Sequence, residues 1–352
     1  MKLFEPLALG ELKLANRIVM APMTRNRADV DGTPNELMVR YYADRADAGL
    51  VVTEGTSPSI TGWAYCREPI IETEAQIAGW QRVTDAVHER GGLIVLQVMH
   101  GGRVGSRHIK PAGVETVAPS AIRAAGEVFT DSAGMQPFDE PRALSIEEVR
   151  EVVGEYRRAA LDARRAGFDG VELHGTSGYL PMQFLSSGTN RRSDAYGGSA
   201  ANRARFAFEC LKAMSEAIGA GRVGLRLNPG NTYNDTSDED SGATHAELMR
   251  QAATLGIAYL HVMRAPVEHI DAFALARENF GQRLIVNDGF DPASAEAAVE
   301  SGNAQAVSFA RHFIGNPDLV RRIREGLPLA RFDRKTLYTH GPAGYIDYPA
   351  HF

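Results

Sequence analysis

Eight short and almost wholly apolar segments recur along the chain, each followed by a stretch with helical spacing. They cover residues 17–21, 50–53, 93–98, 168–173, 223–227, 257–262, 284–287 and 306–310. A strand wetted on one face alternates apolar and polar residues, whereas a continuous apolar run suits a parallel sheet covered on both faces. Helix signals fill the gaps. Pro34-Asn35 opens a helix whose apolar face is Leu37, Val39, Tyr41, Tyr42 and Ala46, with Gly49 as its stop. Thr73 to Gln76 and Ser145 to Glu148 read as capping boxes, and Thr244 to Glu247 reads as a further cap. Residues 202–218 are helical in pattern. Asp291-Pro292 starts a helix that ends at Gly302, and Asn316-Pro317 puts proline at the first position of the last helix. Eight such units predict an α/β chain folded as a (β/α)8 barrel, a single domain over residues 1–352. Residues 7–16, alternating about Gly10, predict an N-terminal hairpin. Residues 100–143, rich in Gly, Pro, Ser and Thr, follow the third strand and predict an insertion that caps the barrel mouth.

Composition removes several classes. A formal net charge of -6 gives no support for nucleic-acid or membrane-surface binding. The only cysteines, Cys66 and Cys210, are far apart and outside any CxxC pattern, which speaks against a disulfide framework or a zinc site. With no signal-like apolar N-terminus and no run of membrane-spanning length, a cytoplasmic location is expected.

In such barrels the chemistry sits at the C-terminal ends of the strands. Those ends carry Thr24, Gly55, Gln97, His174, Arg226, Asp288-Gly289 and Arg311. None of the five lysines ends a strand, against a Schiff-base aldolase. No HxH follows the first strand and the acidic residues are scattered, against a barrel metal hydrolase, so no metal is expected. Uncharged hydrogen-bonding groups plus one fixed cation, Arg226, suit a neutral heterocycle that becomes anionic, as a flavin does near N1 and O2. A barrel-end salt bridge would use Arg226 equally well. Gly289, Ala310 and Arg311 stand where a phosphate would sit, although Gly289 also serves as a plain turn glycine. The fourth strand runs into Val171-Glu172-Leu173-His174-Gly175-Thr176-Ser177-Gly178-Tyr179, which presents two proton-capable side chains together.

Several further stretches carry a resemblance: Asn16-Arg17-Ile18-Val19-Met20-Ala21-Pro22-Met23-Thr24-Arg25, Glu172-Leu173-His174, Gly178-Tyr179, residues 190–199, Asn316-Pro317-Asp318-Leu319 and Gly344-Tyr345. In this order, over nearly the whole chain, they resemble the old yellow enzyme family of FMN-dependent oxidoreductases. Thr24 is similar to the subgroup with threonine rather than cysteine near the flavin. The resemblance implies non-covalently bound FMN and NADPH or NADH as reductant. It implies a ping-pong reduction, by hydride from flavin N5, of activated C=C bonds (α,β-unsaturated carbonyls, nitroalkenes) or of nitro and nitroester compounds. Pro22, Met23, Thr24, Gly55, Gln97, His174, Arg226, Gly289, Ala310 and Arg311 would contact FMN. His174 with Ser177 would hold the substrate oxygen and Tyr179 would deliver a proton. Trp63, Met99, Tyr233 and Tyr345 would line the substrate pocket. The implied partner is a small electrophilic molecule, with the protein a monomer or homodimer. Two positions depart from the family pattern. Ser177 stands where the family has a second histidine or an asparagine, and Met99 where many relatives carry tryptophan. These departures leave open an FMN enzyme of a biosynthetic pathway doing redox-neutral isomerisation or a specialised reduction.

Overall fold

In the computed structural model, which describes residues 1–350, the eight apolar segments form one closed parallel barrel. Its strands are β1 Ile18–Met20, β2 Leu50–Val52, β3 Ile94–Val98, β4 Gly170–Gly175, β5 Val223–Leu227, β6 Tyr259–Met263, β7 Leu284–Asn287 and β8 Ala306–Phe309. They pair in sequence order, and β8 closes on β1. The (β/α)8 expectation is met. Helices α1 Glu36–Ala43, α2 Glu74–Glu89, α3 Ile146–Arg165, α4 Ala200–Ile218, α5 Ser241–Thr254, α6 Ala272–Asn279, α7 Pro292–Glu300 and α8 Leu319–Glu325 follow the strands in turn. No helix among the described residues is long and apolar enough to cross a membrane.

The boxes at Thr73–Gln76 and Ser145–Glu148 form as read, with both reciprocal hydrogen bonds. Two other helix starts differ. Helix α5 begins at Ser241 because the Asp240 carboxylate, a stronger cap than a hydroxyl, accepts from the Ala243 N–H. Thr244 instead lies inside the helix and donates to the Asp240 carbonyl. Helix α8 begins at Leu319, since a separate turn, Arg311–Gly315, takes up the chain just before Asn316 and leaves Pro317 outside both.

The barrel interior changes character along its axis. At the N-terminal end the hairpin Leu7–Leu9/Leu12–Leu14 packs its leucines into a buried cluster with Val19, Leu50, Val52, Val95, Tyr259, Ile285 and Ala306. One layer further up, the inward positions turn polar: Gln97, Glu172, Arg226, His261, Asn287 and Ser308, all buried. The hairpin closes one end with apolar side chains, so polar chemistry is confined to the other. The insertion after β3 contributes a short parallel pair, Val117–Ala118 with Arg142–Ala143, and an antiparallel hairpin, Glu127–Thr130 with Gly134–Pro137.

Gly224 makes the apolar floor close. A Cβ at this position would enter the Tyr259 ring, which fills the space across from β5. Gly224→Ala is therefore expected to destabilise the protein by about 1–3 kcal/mol through overpacking. Urea unfolding would read this as a lower midpoint, and an unchanged midpoint would show that the floor has slack.

Candidate active site

A cavity of about 1690 Å³ opens at the C-terminal ends of the strands. Its base is the polar layer, which forms one hydrogen-bonded unit. Gln97 Nε2 donates to Glu172 Oε1 (2.8 Å), and Glu172 Oε2 lies 2.9 Å from His261 Nδ1. Arg226 Nη2 donates to Asn287 Oδ1 (2.8 Å), while its Nη1 packs on the His261 ring, 2.7 Å from Nε2. Asn287 Nδ2 donates to the Ser308 carbonyl, and the Ser308 hydroxyl sits 2.7 Å from His261 Nε2. Burial, then the Arg226 charge, holds His261 down at about 4. Burial opposes ionisation of Glu172, but His261 and Arg226 outweigh it and keep the carboxyl below its ordinary value. The unit therefore carries one compensated pair, the Arg226 guanidinium and the Glu172 carboxylate, bridged by a neutral imidazole.

Above this base β4 delivers His174. The Thr176 backbone N–H donates to its Nδ1 (3.3 Å). An amide N–H can only donate, so the ring proton of the neutral form is on Nε2. Burial and the nearby Arg226 charge push His174 down to about 3. It is thus a neutral donor. Tyr179 stands edge-on to His174, ring centroids 4.8 Å apart. Its hydroxyl is 3.0 Å from that of Tyr65. Burial pushes Tyr179 well above the ordinary phenol value and Tyr65 up to about 12, so both stay protonated. The Glu68 carboxyl accepts from the backbone N–H groups of Ala64 and Tyr65 and fixes that segment. Ser177 has a left-handed backbone (φ 58) and its hydroxyl lies 3.0 Å from that of Thr176.

The cavity wall brings together Pro22, Met23, Thr24, Gln97, His174, Ser177, Tyr179, Arg226, Tyr233, Gly289, Ala310 and Arg311. Four other positions singled out in the sequence lie elsewhere. Trp63 is turned inward by the tight turn Ile60–Gly62, and its indole N–H donates to the Glu68 carbonyl (3.0 Å). Met99 and Gly55 pack on each other, the methionine sulfur occupying the place of a Cβ on Gly55, so neither reaches the cavity. Tyr345 is fully buried, stacked on Tyr41 at 4.0 Å. An aromatic or thioether side chain in a loop is drawn to whichever apolar surface is nearest, and here that is the protein's own core. Conversely, Tyr65, Thr176, Asn234, Asn287 and Ser308 face the cavity without having been singled out. For His261 and Glu172 a signal existed, since each is a charged or polar residue inside an apolar strand. Tyr65 had none.

The wall fits the flavin expected from the sequence. Gln97 donates to Glu172, and its Oε1 makes no hydrogen bond among the described residues, so an acceptor remains for a ring N–H. Arg226 adds a fixed cation at the base. At the ends of β7 and β8, Asp288 and Gly289 have positive φ, which turns the backbone sharply beside Arg311. The volume exceeds the about 300–1,000 Å³ of an ordinary ligand pocket, which leaves room for a second molecule beside a cofactor.

Comparison with known proteins agrees. Residues 2–330 match the model of the NADH:flavin oxidoreductase / NADH oxidase family. A Leishmania infantum protein named probable flavin mononucleotide-dependent alkene reductase is 43% identical over 99% of this chain and 97% of its own. The 12-oxophytodienoate reductase 1 of Oryza sativa subsp. japonica is 38% identical over 99% of this chain and 92% of its own. Among solved structures, morphinone reductase in complex with tetrahydroNAD superposes with a TM-score of 0.96 at 42% identity, covering 100% of this chain and 98% of that one.

The His174 geometry has a direct spectroscopic consequence. A group whose value is depressed to about 3 takes up no proton between pH 8 and 5. Nitrogen-15 NMR of the imidazoles should show His174 as the neutral Nε2–H form throughout that range. Growth of an imidazolium signal around pH 6 would overturn the assignment.

Proposed function

The chain belongs to the NADH:flavin oxidoreductase / NADH oxidase family, that of old yellow enzyme, and on that premise we propose that it reduces activated C=C bonds with electrons from NAD(P)H through FMN. The observation that carries the reading is the pair His174 and Tyr179. Both are neutral, both are protonated, and both face one cavity above a buried guanidinium. FMN, when bound, supplies hydride transfer. Thr24, Gln97 and Arg226 would hold its ring, and Gly289, Ala310 and Arg311 its phosphate.

The remaining work falls to side chains. His174 Nε2–H donates to the carbonyl or nitro oxygen of the acceptor. As electron density moves onto that oxygen the hydrogen bond strengthens, and a neutral donor does this without losing its proton. The Ser177 hydroxyl offers a second, shorter donor. Tyr179 gives its phenolic proton to the α-carbon, and the Tyr65 hydroxyl 3.0 Å behind holds that phenol in line. One hydride and one proton saturate the double bond.

Tyr179→Phe should slow alkene reduction by about 10²- to 10⁴-fold while flavin reduction by NAD(P)H stays near the parent rate. Stopped-flow measurement of the two half-reactions decides this, and equal losses in both would remove Tyr179 from the proton step. Ser177 lies in the left-handed region that asparagine tolerates well. Ser177→Asn, which extends the donor, should raise kcat/KM for a simple cyclic enone about tenfold or more. No gain would show that the hydroxyl already serves as the second donor.

A further inference from the structure

The turn after β7 is braced from behind by one residue, Arg264, which follows β6. Its backbone N–H donates to the Asn287 carbonyl (3.0 Å) and its Nε to the Asp288 carbonyl (3.3 Å). The guanidinium is wedged beside two rings, 5.1 Å from the Phe273 centroid and 5.2 Å from that of Phe290. It makes no ion pair among the described residues. Its Nε lies 3.4 Å from where a Cβ on Gly289 would stand, so it backs the turn rather than lining the cavity. Asp288 and Gly289 are both left-handed, with φ of 77 and 76. The N–H groups of Gly289 and Phe290 donate to no group among the described residues. Two free N–H groups with a guanidinium close behind them suit an anion.

Asp288 works against that anion. Its carboxylate lines the same cavity and meets Arg311 at 3.4 Å, so this arginine is shared between an internal carboxylate and any phosphate. The two side chains are 65% and 47% exposed, which screens the pair and lets a phosphate take its place. Asp291, the next acid, is turned to α7, where it caps the Ser294 N–H. A phosphate dianion beside the Asp288 carboxylate still calls for a second cation. We infer that Arg264 supplies it, as a positioning residue for the FMN phosphate that offsets Asp288 and fixes the two free N–H groups. The two residues then set FMN affinity together, with opposite signs. This rests on the placement of the phosphate at Gly289, Ala310 and Arg311 given above, and not on which alkene is reduced.

The test uses the full chain stripped of its flavin and titrated with FMN or, separately, with riboflavin, which lacks the phosphate. Quenching of flavin fluorescence gives both Kd values without any turnover. Arg264→Met should weaken FMN about three- to tenfold and leave riboflavin within about twofold of the parent. Asp288→Asn keeps a residue that tolerates the left-handed backbone. It should tighten FMN by a similar factor, again without effect on riboflavin, and the double variant should return close to the parent. Arg264→Lys, which keeps the charge and loses the planar fork, should recover part of the loss. An unchanged FMN Kd in Arg264→Met would overturn the inference. Equal weakening of both flavins would do so too, since it would make the arginine a general brace of the fold. Looser FMN in Asp288→Asn would overturn the offset, because the carboxylate would then be presetting Arg311 for the phosphate. Arg311→Met separates this inference from the reading beneath it. If it raises the ratio of FMN to riboflavin Kd and Arg264→Met does not, the phosphate placement stands and the role of Arg264 falls. If neither variant moves the ratio, the phosphate is held elsewhere and both fall.

Discussion

Arg226 holds a guanidinium where almost no water reaches it, 5% exposed at the base of the cavity. A charge in that place is costly unless it is paired and hydrogen-bonded. The neighbouring strands are composed accordingly. Glu172 on β4 supplies the counter-charge, His261 on β6 bridges the two, and Asn287 on β7 and Ser308 on β8 take the remaining donors and lone pairs. Gln97 on β3 completes the carboxylate's shell. Five strands beyond that of the arginine are thus constrained by one side chain. The same charge acts upward. Together with burial it keeps His174 unprotonated at Nδ1, so this residue works as a neutral donor rather than as a cation. A cationic His174 would place a second positive charge beside Arg226 in the same dry pocket, with only one carboxylate to answer both.

Loops above a barrel have no ladder of their own, and this chain holds them with buried arginines that donate to backbone carbonyls. Arg103 reaches the carbonyls of Ile122 in the insertion and of Asn234 and Asp235 after β5. Arg25 and Arg27, just after β1, bind carbonyls of the C-terminal segment, among them Gly344 (2.6 Å) and Leu337 (2.7 Å). A guanidinium carries five donors in a fixed fork, so one side chain satisfies several loop carbonyls that would otherwise be buried unpaired. The rim is in this way cross-linked between segments hundreds of residues apart in sequence. Residues that line the mouth can therefore be treated as held in place relative to His174 and Tyr179.

The barrel was legible because its signal is local. An apolar run of four to six residues followed by a capped helix names its own structure, and the boxes at Thr73 and Ser145 form as read. The site was legible to the extent that it is made of strand ends. Gln97, His174, Arg226 and Gly289 follow from position alone, since a parallel barrel points its strand termini at one place. Loop residues obey no such rule. Trp63, Met99 and Tyr345 sit in the expected segments, yet each side chain turns toward the core, because burial of an aromatic or thioether group outweighs the pull of an open cavity. Tyr65 and the Phe129–Met135 pair escaped notice for the complementary reason. Tyr65 is placed by the Glu68 carboxyl three residues on, and Phe129 and Met135, which also line the cavity, by a hairpin whose anchor points, Cys66 and Arg67, lie sixty residues away.

Ser177 shows how the neighbours of one position can hold a turn whatever its own side chain does. The residue occupies a left-handed turn that also carries Gly178 at φ 76, and its carbonyl accepts from Asn234 Nδ2 at 2.8 Å. The turn is therefore fixed by backbone bonds that do not involve the side chain, so the residue type can change without moving His174 or Tyr179. The Ser177 hydroxyl lies 3.0 Å from that of Thr176, which itself lies 3.2 Å from His174 Nδ1. A hydroxyl both donates and accepts. The chain His174–Thr176–Ser177 can accordingly be polarised as a unit, with Thr176 donating to Nδ1 and accepting from Ser177, or with Ser177 turned outward to the acceptor oxygen. A longer amide at 177 would trade that choice for reach.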